Sequence, residues 1–438
     1  MILPLILCVF SCALGIVLYK KIYNPCTVFF GLWTIFILLS SLGLYDCTIP
    51  TIDTYLILFI GLFGFLVGFV LASYNKTKSV YSRCKSNGIQ YTLNMKVIVF
   101  LYTITSLYLL YQTGIVIKLL STGSDLSVVR ILYTSSEFNI LRSSNVMVAI
   151  QNFIVTPTVY VVVALLPLEW FKGNRNKIFI ISSIAMIGAW VLTTGGRSII
   201  VWLAIYIAYL YIWSGKKLKL KKKTKRIVMI LIVICFFALI YTTISRKGED
   251  ADFLFQIYQY FVVPIAHFEY RIQELNDFYP HIKGFGVASF YGILYPFLFV
   301  LNTLGWKYPT WLTLIRDLSF TNLEQVVTLG SVRMNAFVTT FFHFYLDGGI
   351  IGVFGGSVLF GYVAMWLYRK ASNGTKTKYT LLYLLILQKL IFSFVRFYFT
   401  QPVQGISFLL ALIVYKRVKI SNNTDRQVPV MGKDERII

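Results

Sequence analysis

The stretch IFIISSIAMIGAWVLTTGGRSIIVWLAIYIAYLYIW, Ile178 to Trp213, decides the fold. Two long apolar runs flank the polar hexapeptide TTGGRS. Arg197 is the one charge between them, beside Gly195 and Gly196. Placing an arginine at the centre of a membrane helix costs about 2.5–3.5 kcal/mol on insertion scales. The economical reading is a helical hairpin whose turn reaches the membrane surface. That makes the chain polytopic and α-helical, because only helices and closed barrels satisfy their backbone within lipid.

The rest of the sequence repeats this pattern. The 438 residues are 57% hydrophobic and 13% charged, with a mean hydropathy of +0.72. A soluble domain carries about 25% charged residues. Thirty tyrosines and eight tryptophans suit the aromatic belts at membrane interfaces. Eleven spans are expected, near 2–18, 27–45, 54–73, 95–117, 146–166, 177–194, 198–214, 227–244, 337–368, 379–396 and 402–416. The opening MILPLILCVFSCALGIVLYKK lacks a basic n-region and reads as the first span, not a cleaved signal. The span at 337–368 is too long for one straight crossing, so a break is expected around Asp347-Gly348-Gly349.

Lysines set the orientation. KKLKLKKKTKR, Lys216 to Arg226, holds eight basic residues in eleven and is assigned to the cytoplasm. Counting outward puts Lys20-Lys21, 76–85, 172–177, 369–378 and the tail from Lys416 on the same side, and all are basic. The expected organisation is therefore a block 1–244 of eight helices with a first outer loop at about 118–145. A long outer loop at 245–336 follows, then C-terminal helices at 337–416 and a polar cytoplasmic tail at 417–438. Within the long loop, residues 285–306 are oily enough to span. A crossing there would reverse the side of the basic segment 369–378, so a re-entrant or surface-lying segment is expected.

Positive-inside topology accounts for most of the net charge of +24, so nucleic acid is not needed as a partner. It leaves the outer arginines unexplained. That side holds four lysines but eight arginines: Arg130, Arg142, Arg197, Arg246, Arg271, Arg316, Arg333 and Arg396. Arginine is the side chain of choice for planar, bidentate binding of phosphate or carboxylate. Nearby acids offer the plainer reading of simple ion pairs; Arg271, for instance, has Glu269, Glu274 and Asp277 close in sequence. Two arginines can neutralise a diphosphate leaving group without a metal. The six cysteines are scattered, and the three histidines, His267, His281 and His343, form no HExxH motif, so no metal or cofactor is expected.

Three short elements resemble the O-antigen and capsular repeat-unit polymerases, the Wzy-type membrane proteins. NPCTVFFGLW, Asn24 to Trp33, looks like the Asn-Pro opening of their second helix. TTGGRS looks like their short Gly-Arg turn. NAFVTTFFHFYLDGGIIG, Asn335 to Gly352, looks like their late Asn followed by Asp-Phe-Gly-x-x-Gly, with Gly348 where Phe is usual. A long outer loop in the second half also agrees. The chain departs from some members in lacking a strict Arg-x10-Gly repeat in its outer loops, so a retention arm of that design is not expected. The resemblance implies a fold similar to the C-type membrane glycosyltransferases. It implies transfer of a growing glycan from undecaprenyl diphosphate onto the next lipid-linked unit, at the outer leaflet of a bacterial inner membrane. Partners implied are that lipid-linked oligosaccharide, membrane lipids and a chain-length regulator. The competing readings are an O-antigen ligase, disfavoured by Ile282 after His281, and a flippase, which would put charges within helices.

Under this reading the substrate-binding set is Arg197, Gly196, Arg246, Arg316, Arg333, Asn335 and Arg396. The acceptor hydroxyl needs a base, and Glu324, Asp347 and His343 are the candidates placed beside Arg197 in the catalytic set; His281 and Glu269 are further choices. Each has a bland alternative. Arg197 could snorkel to headgroups, Asp347 could cap a helix, and Asn335 could start one.

Overall fold

The computed structural model of the chain describes residues 1–74, 89–124, 126–134, 144–196, 198–214, 226, 253–372 and 377–419. These residues form α-helices and two two-stranded ribbons. Six helices are long and apolar enough to cross a membrane. They are α1 (Ile2–Tyr19), α3 (Ile52–Tyr74), α4 (Met95–Ser121), α6 (Asn145–Phe171), α7 (Lys177–Thr194) and α13 (Thr339–Ser372). Shorter apolar helices are α2 (Pro25–Ser40), α8 (Ser198–Ser214), α11 (Val287–Thr303) and α15 (Pro402–Ile413). The small helices α5 (Leu126–Thr134), α9 (Phe253–Phe261), α10 (Val263–Phe278) and α12 (Thr310–Ser319) lie in the segments expected as outer loops, and α14 spans Thr377–Ile391.

The described residues do not confirm the expected count of eleven spans. One of them, 227–244, lies outside the described residues. Another, 379–396, is shorter than the hydropathy suggested, because α14 stops at Ile391 and residues 392–401 run as turns and a short 3-10 segment. This loop remains buried because its backbone finds partners elsewhere. Val338 N–H donates to Val395 O at 2.8 Å and Thr340 N–H to Ser393 O at 2.7 Å. Trp33 Nε1–H donates to Ser393 Oγ at 3.0 Å. A loop may sit inside a membrane protein only when its polar backbone is satisfied in this way.

Local chemistry explains the helix ends. Asn24 caps α2, its Oδ1 accepting from Thr27 N–H at 2.9 Å, with Pro25 in the first turn where its missing N–H costs nothing. Its Nδ2 also donates to Gly15 O at 3.1 Å, tying α2 to α1. Gly195 ends α7 in the left-handed region, φ 58°, where a side chain would be strained. The expected break in α13 occurs at Gly348-Gly349, and Gly349 has φ 61°.

The basic segments meet at one end of the bundle. Tyr19 Oη–H donates to Ser73 Oγ at 2.9 Å, and Arg369 Nη1–H donates to Ala72 O. Tyr415 Oη–H donates to Glu169 Oε1 at 2.5 Å, and Lys172 pairs with the same oxygen at 3.0 Å. Strand β1 (Ile89–Leu93) pairs antiparallel with β4 (Tyr415–Lys419). At the other end, the α2–α3 connection meets the long loop. Ser331 Oγ–H donates to Tyr45 O at 2.6 Å, and Glu269 Oε2 accepts from Thr51 N–H at 2.9 Å. That loop carries the hairpin of β2 (Val327–Leu329) and β3 (Val332–Met334).

Small residues let helices approach closely. Gly61, Gly64 and Gly68 of α3 face α13, and Gly361 of α13 faces the backbone at Phe65. Segment 285–306 is realised as α11, pressed on α15 through Gly292 and Gly405. Its Phe297, Val300 and Leu301 are exposed, an apolar face turned outward.

Candidate functional site

A cavity of about 620 Å³ lies between α11, α12, α6 and the start of α15. Drug-sized ligands occupy about 300–1,000 Å³. Its walls are aromatic: Tyr291, Tyr295 and Phe299 from one face of α11, Tyr160 from α6, and Tyr308 and Phe320. Asn152, Asn302, Gln401 and Thr321 supply amides and a hydroxyl. Arg316 is the one cation in the lining, and its Nε and Nη2 both donate to Asp317 Oδ1, at 3.0 and 2.8 Å. The lining is therefore close to neutral. It offers flat apolar faces with a few hydrogen-bonding groups, which suits a polyhydroxylated ligand.

A second cluster, built on the buried Arg396 and His343, lies just along the chain from this lining. After Thr321, a 3-10 turn over Asn322–Glu324 carries Glu324, whose N–H donates to Thr321 O at 3.2 Å. Glu324 Oε1 meets Arg396 Nη2 at 3.4 Å. Arg396 is only 6% exposed, yet this is its guanidinium's one polar partner among the described residues. Asn335 Nδ2–H donates to Glu324 O at 3.2 Å. His343, fully buried, faces the Ser319 backbone and the Arg396 charge. The hydroxyls of Ser319, Thr339, Thr340 and Thr400 are buried with no hydrogen-bond partner among the described residues.

The structure thus joins Glu324, Asn335, Arg396 and His343, and places Arg316 in the adjoining cavity. Arg396 had been expected at an outer helix end; it sits instead in the buried 392–401 loop. Arg333 is not brought in. It lies on the exposed face of β3, where its carbonyl accepts from Gln259 Nε2 at 2.6 Å. Gly196 continues the turn after α7, its N–H donating to Thr194 Oγ1 at 3.1 Å. That turn leads into α8, whose Trp202 packs on the cavity residue Tyr160, ring centroids 4.8 Å apart. Arg142, Arg197 and Arg246 lie outside the described residues.

Asp347 is differently employed. Its Oδ1 accepts from Ala288 N–H and its Oδ2 from Ser289 N–H, both at 2.9 Å. These are orphan donors at the start of α11. Asp347 therefore caps not its own helix but the one that carries the cavity wall, and both oxygens are occupied. Asp347→Ala should lower the thermal unfolding midpoint of the detergent-solubilised chain, a loss of about 1–3 kcal/mol for two stranded donors. Asp347→Asn, which keeps one acceptor, should fall between. An alanine variant melting with wild type would sink this role.

Arg271 is structural. Its Nε–H donates to His267 Nε2 at 3.0 Å, its Nη1 meets Glu274 at 2.6 Å, and its Nη2–H reaches Gln325 O at 3.1 Å. Because arginine can only donate, His267 Nδ1 carries the proton and donates to Phe337 O at 2.8 Å. Burial, aided by the charges of Arg271 and Arg396, pushes the His267 pKa down to about 3. It stays neutral at neutral pH and ties the 325–337 segment to α10.

Sequence reasoning missed two features. The Tyr291, Tyr295, Phe299 series has the four-residue spacing of one helical face, a readable signal that was not taken up. Lys389 lies within α14, 2% exposed, inside the span expected at 379–396. It donates to Gln404 Oε1 at 3.1 Å and lies 4.8 Å from the Phe399 ring centroid. No carboxylate lies within 4.0 Å of it among the described residues. Its cost is met by amide oxygens and an aromatic face. No family model, curated protein or solved structure matches this chain.

Proposed function

We propose that this protein polymerises lipid-linked oligosaccharide repeat units, moving the growing glycan from undecaprenyl diphosphate onto the next lipid-linked unit at the outer leaflet of a bacterial inner membrane. The observation that carries the reading is Arg396: an arginine 6% exposed whose guanidinium makes one long contact among the described residues, to Glu324, three positions along the chain from Thr321 in the lining of an aromatic cavity of about 620 Å³. The buried cation suits the diphosphate, and the cavity suits sugar rings. In this scheme the acceptor hydroxyl attacks the anomeric carbon and the bond to diphosphate breaks. Arg396 stabilises the charge gathering on the leaving group. Glu324 and His343 are the nearest candidates for the proton acceptor. Arg316 would orient glycan in the cavity, and Asn335 holds the Glu324 turn. The outward apolar face of α11 gives the polyprenyl chain a place to lie.

The test is a strain deleted for the gene, with its surface glycolipid resolved on a gel. A single repeat unit in the deletion strain and a ladder on complementation are expected. A strain with no repeat unit at its surface would instead indicate a ligase or a flippase, and the buried charge of Lys389 is the observation that keeps transport in view.

A further inference from the structure

Glu324 and Arg396 do not have the geometry of a structural salt bridge. Strong arginine–carboxylate pairs are bidentate, at about 2.7–2.9 Å. Here a single Nη2 meets a single Oε1 at 3.4 Å, and the two side chains are 7% and 61% exposed. The backbones beneath them are fixed. Residue 324 is held through its N–H and carbonyl by Thr321 and Asn335, with Leu323 buried just before it. Residue 396 is held by its bridge to Thr339. So the arginine cannot leave, whereas the carboxylate can swing into solvent by rotating its own side chain.

We infer that Glu324 is a displaceable counter-ion, which an incoming diphosphate replaces on Arg396. Displacement does two things. It completes the neutralisation of the leaving group, and it frees a carboxylate beside the reacting centre. The identity of the anion as a lipid-linked sugar diphosphate rests on the function proposed above. In that setting the freed Glu324 accepts the proton of the acceptor hydroxyl. The hydroxyl oxygen supplies the electron pair of the new bond to the anomeric carbon, and the old carbon–oxygen pair leaves with the diphosphate on Arg396. Until the anion arrives, the base is held by the arginine.

This arrangement gives two effects of opposite sign. A residue that merely contacts substrate, or merely supports the fold, would weaken both binding and turnover when altered. A displaceable counter-ion competes with the anion, so its removal must tighten anion binding while removing the base.

The experiment titrates the detergent-solubilised full chain with inorganic pyrophosphate and follows binding by calorimetry. Glu324→Gln should bind about two- to fivefold tighter than wild type, the range set by a partly exposed ion pair. Glu324→Ala should show the same direction, and Arg396→Gln should abolish the response. In the deletion strain Glu324→Gln should fail to restore the ladder. Equal or weaker pyrophosphate binding by both Glu324 variants overturns the inference, as does absence of binding to wild type. Undecaprenyl diphosphate in the micelle should bind more tightly than free pyrophosphate, and the reverse order would overturn the lipid-linked assignment. A wild-type chain that restores no ladder removes the proposed function but leaves the binding comparison to decide the exchange.

Discussion

Arg396→Ala should abolish the glycan ladder while the protein remains in the membrane, and Arg396→Lys should not restore it. The effect follows from where the guanidinium sits. At 6% exposure it works in a low-dielectric setting, where a fixed positive donor stabilises developing charge far better than it would in water. Losing one such donor costs about 10²–10³ in rate. A polymer made by many successive transfers should then shorten below detection. Lysine keeps the charge but not the planar fork, and its compact, strongly hydrated ammonium would have to be buried where the guanidinium's one recorded partner among the described residues is Glu324. The fold should survive, because residue 396 is held by its backbone bridge to Thr339 and its neighbours by the Val338 and Thr340 hydrogen bonds. The measurement needs two gels: surface glycolipid, and membrane-fraction protein. A normal ladder from Arg396→Ala would remove the anion site from this loop and return attention to Arg316.

How far the sequence disclosed this site depends on what each signal can carry. The break in α13 was readable because Asp347-Gly348-Gly349 interrupts a hydrophobic run too long for one crossing, and Gly349 does adopt a positive φ. The turn after α7 was readable for the same reason, with Gly195 in the left-handed region. Residues 392–401 were not. SFVRFYFT is as oily as a span, and apolarity alone does not separate a buried helix from a buried loop. Only the pairing with Val338 and Thr340, more than fifty positions earlier, shows why the helix can stop at Ile391. The span expected at 379–396 was drawn too long on the same ground, since hydropathy does not tell lipid-facing helices from α14, which lies almost wholly inside the protein. Asp347 shows a different limit. Its capping was foreseen as a possibility, but its target is α11, whose start lies 59 residues away in the chain, and nothing local announces that partner. The tyrosines of α11 announce a face; that Asn152 and Gln401 close the opposite wall is tertiary information.

Gly68→Val should be strongly damaging to the fold, and it should act through α13 and not through the site itself. A Cβ at Gly68 would fall on the carbonyl oxygen of Val358 and lie 2.8 Å from Tyr362 N. Both are backbone atoms in the middle of a helix, so neither can rotate aside. The neighbouring contacts on the same face also leave no room for a side chain. Gly64 meets the Phe354 carbonyl oxygen, and Gly361 in return meets the Phe65 carbonyl oxygen. The helices must therefore separate along their length. Overpacking costs about 1–3 kcal/mol where side chains can adjust, and more is expected where they cannot. Separation would also stretch the Arg369 bond to Ala72 O at one end and the packing of Gly61 on Phe341 at the other. Because Phe341 and His343 share the first segment of α13, the displacement reaches the ring that faces Arg396. Gly68→Val should thus accumulate poorly in membranes, melt well below wild type in detergent, and lose the ladder with it. Gly114→Ala is the control. It lies in α4 with nothing within 4 Å of the added carbon, and alanine should stabilise that helix by up to about 1 kcal/mol. A valine variant at position 68 that melted with wild type would mean that α3 and α13 are not in backbone contact, and the route from this helix pair to His343 would fall with it.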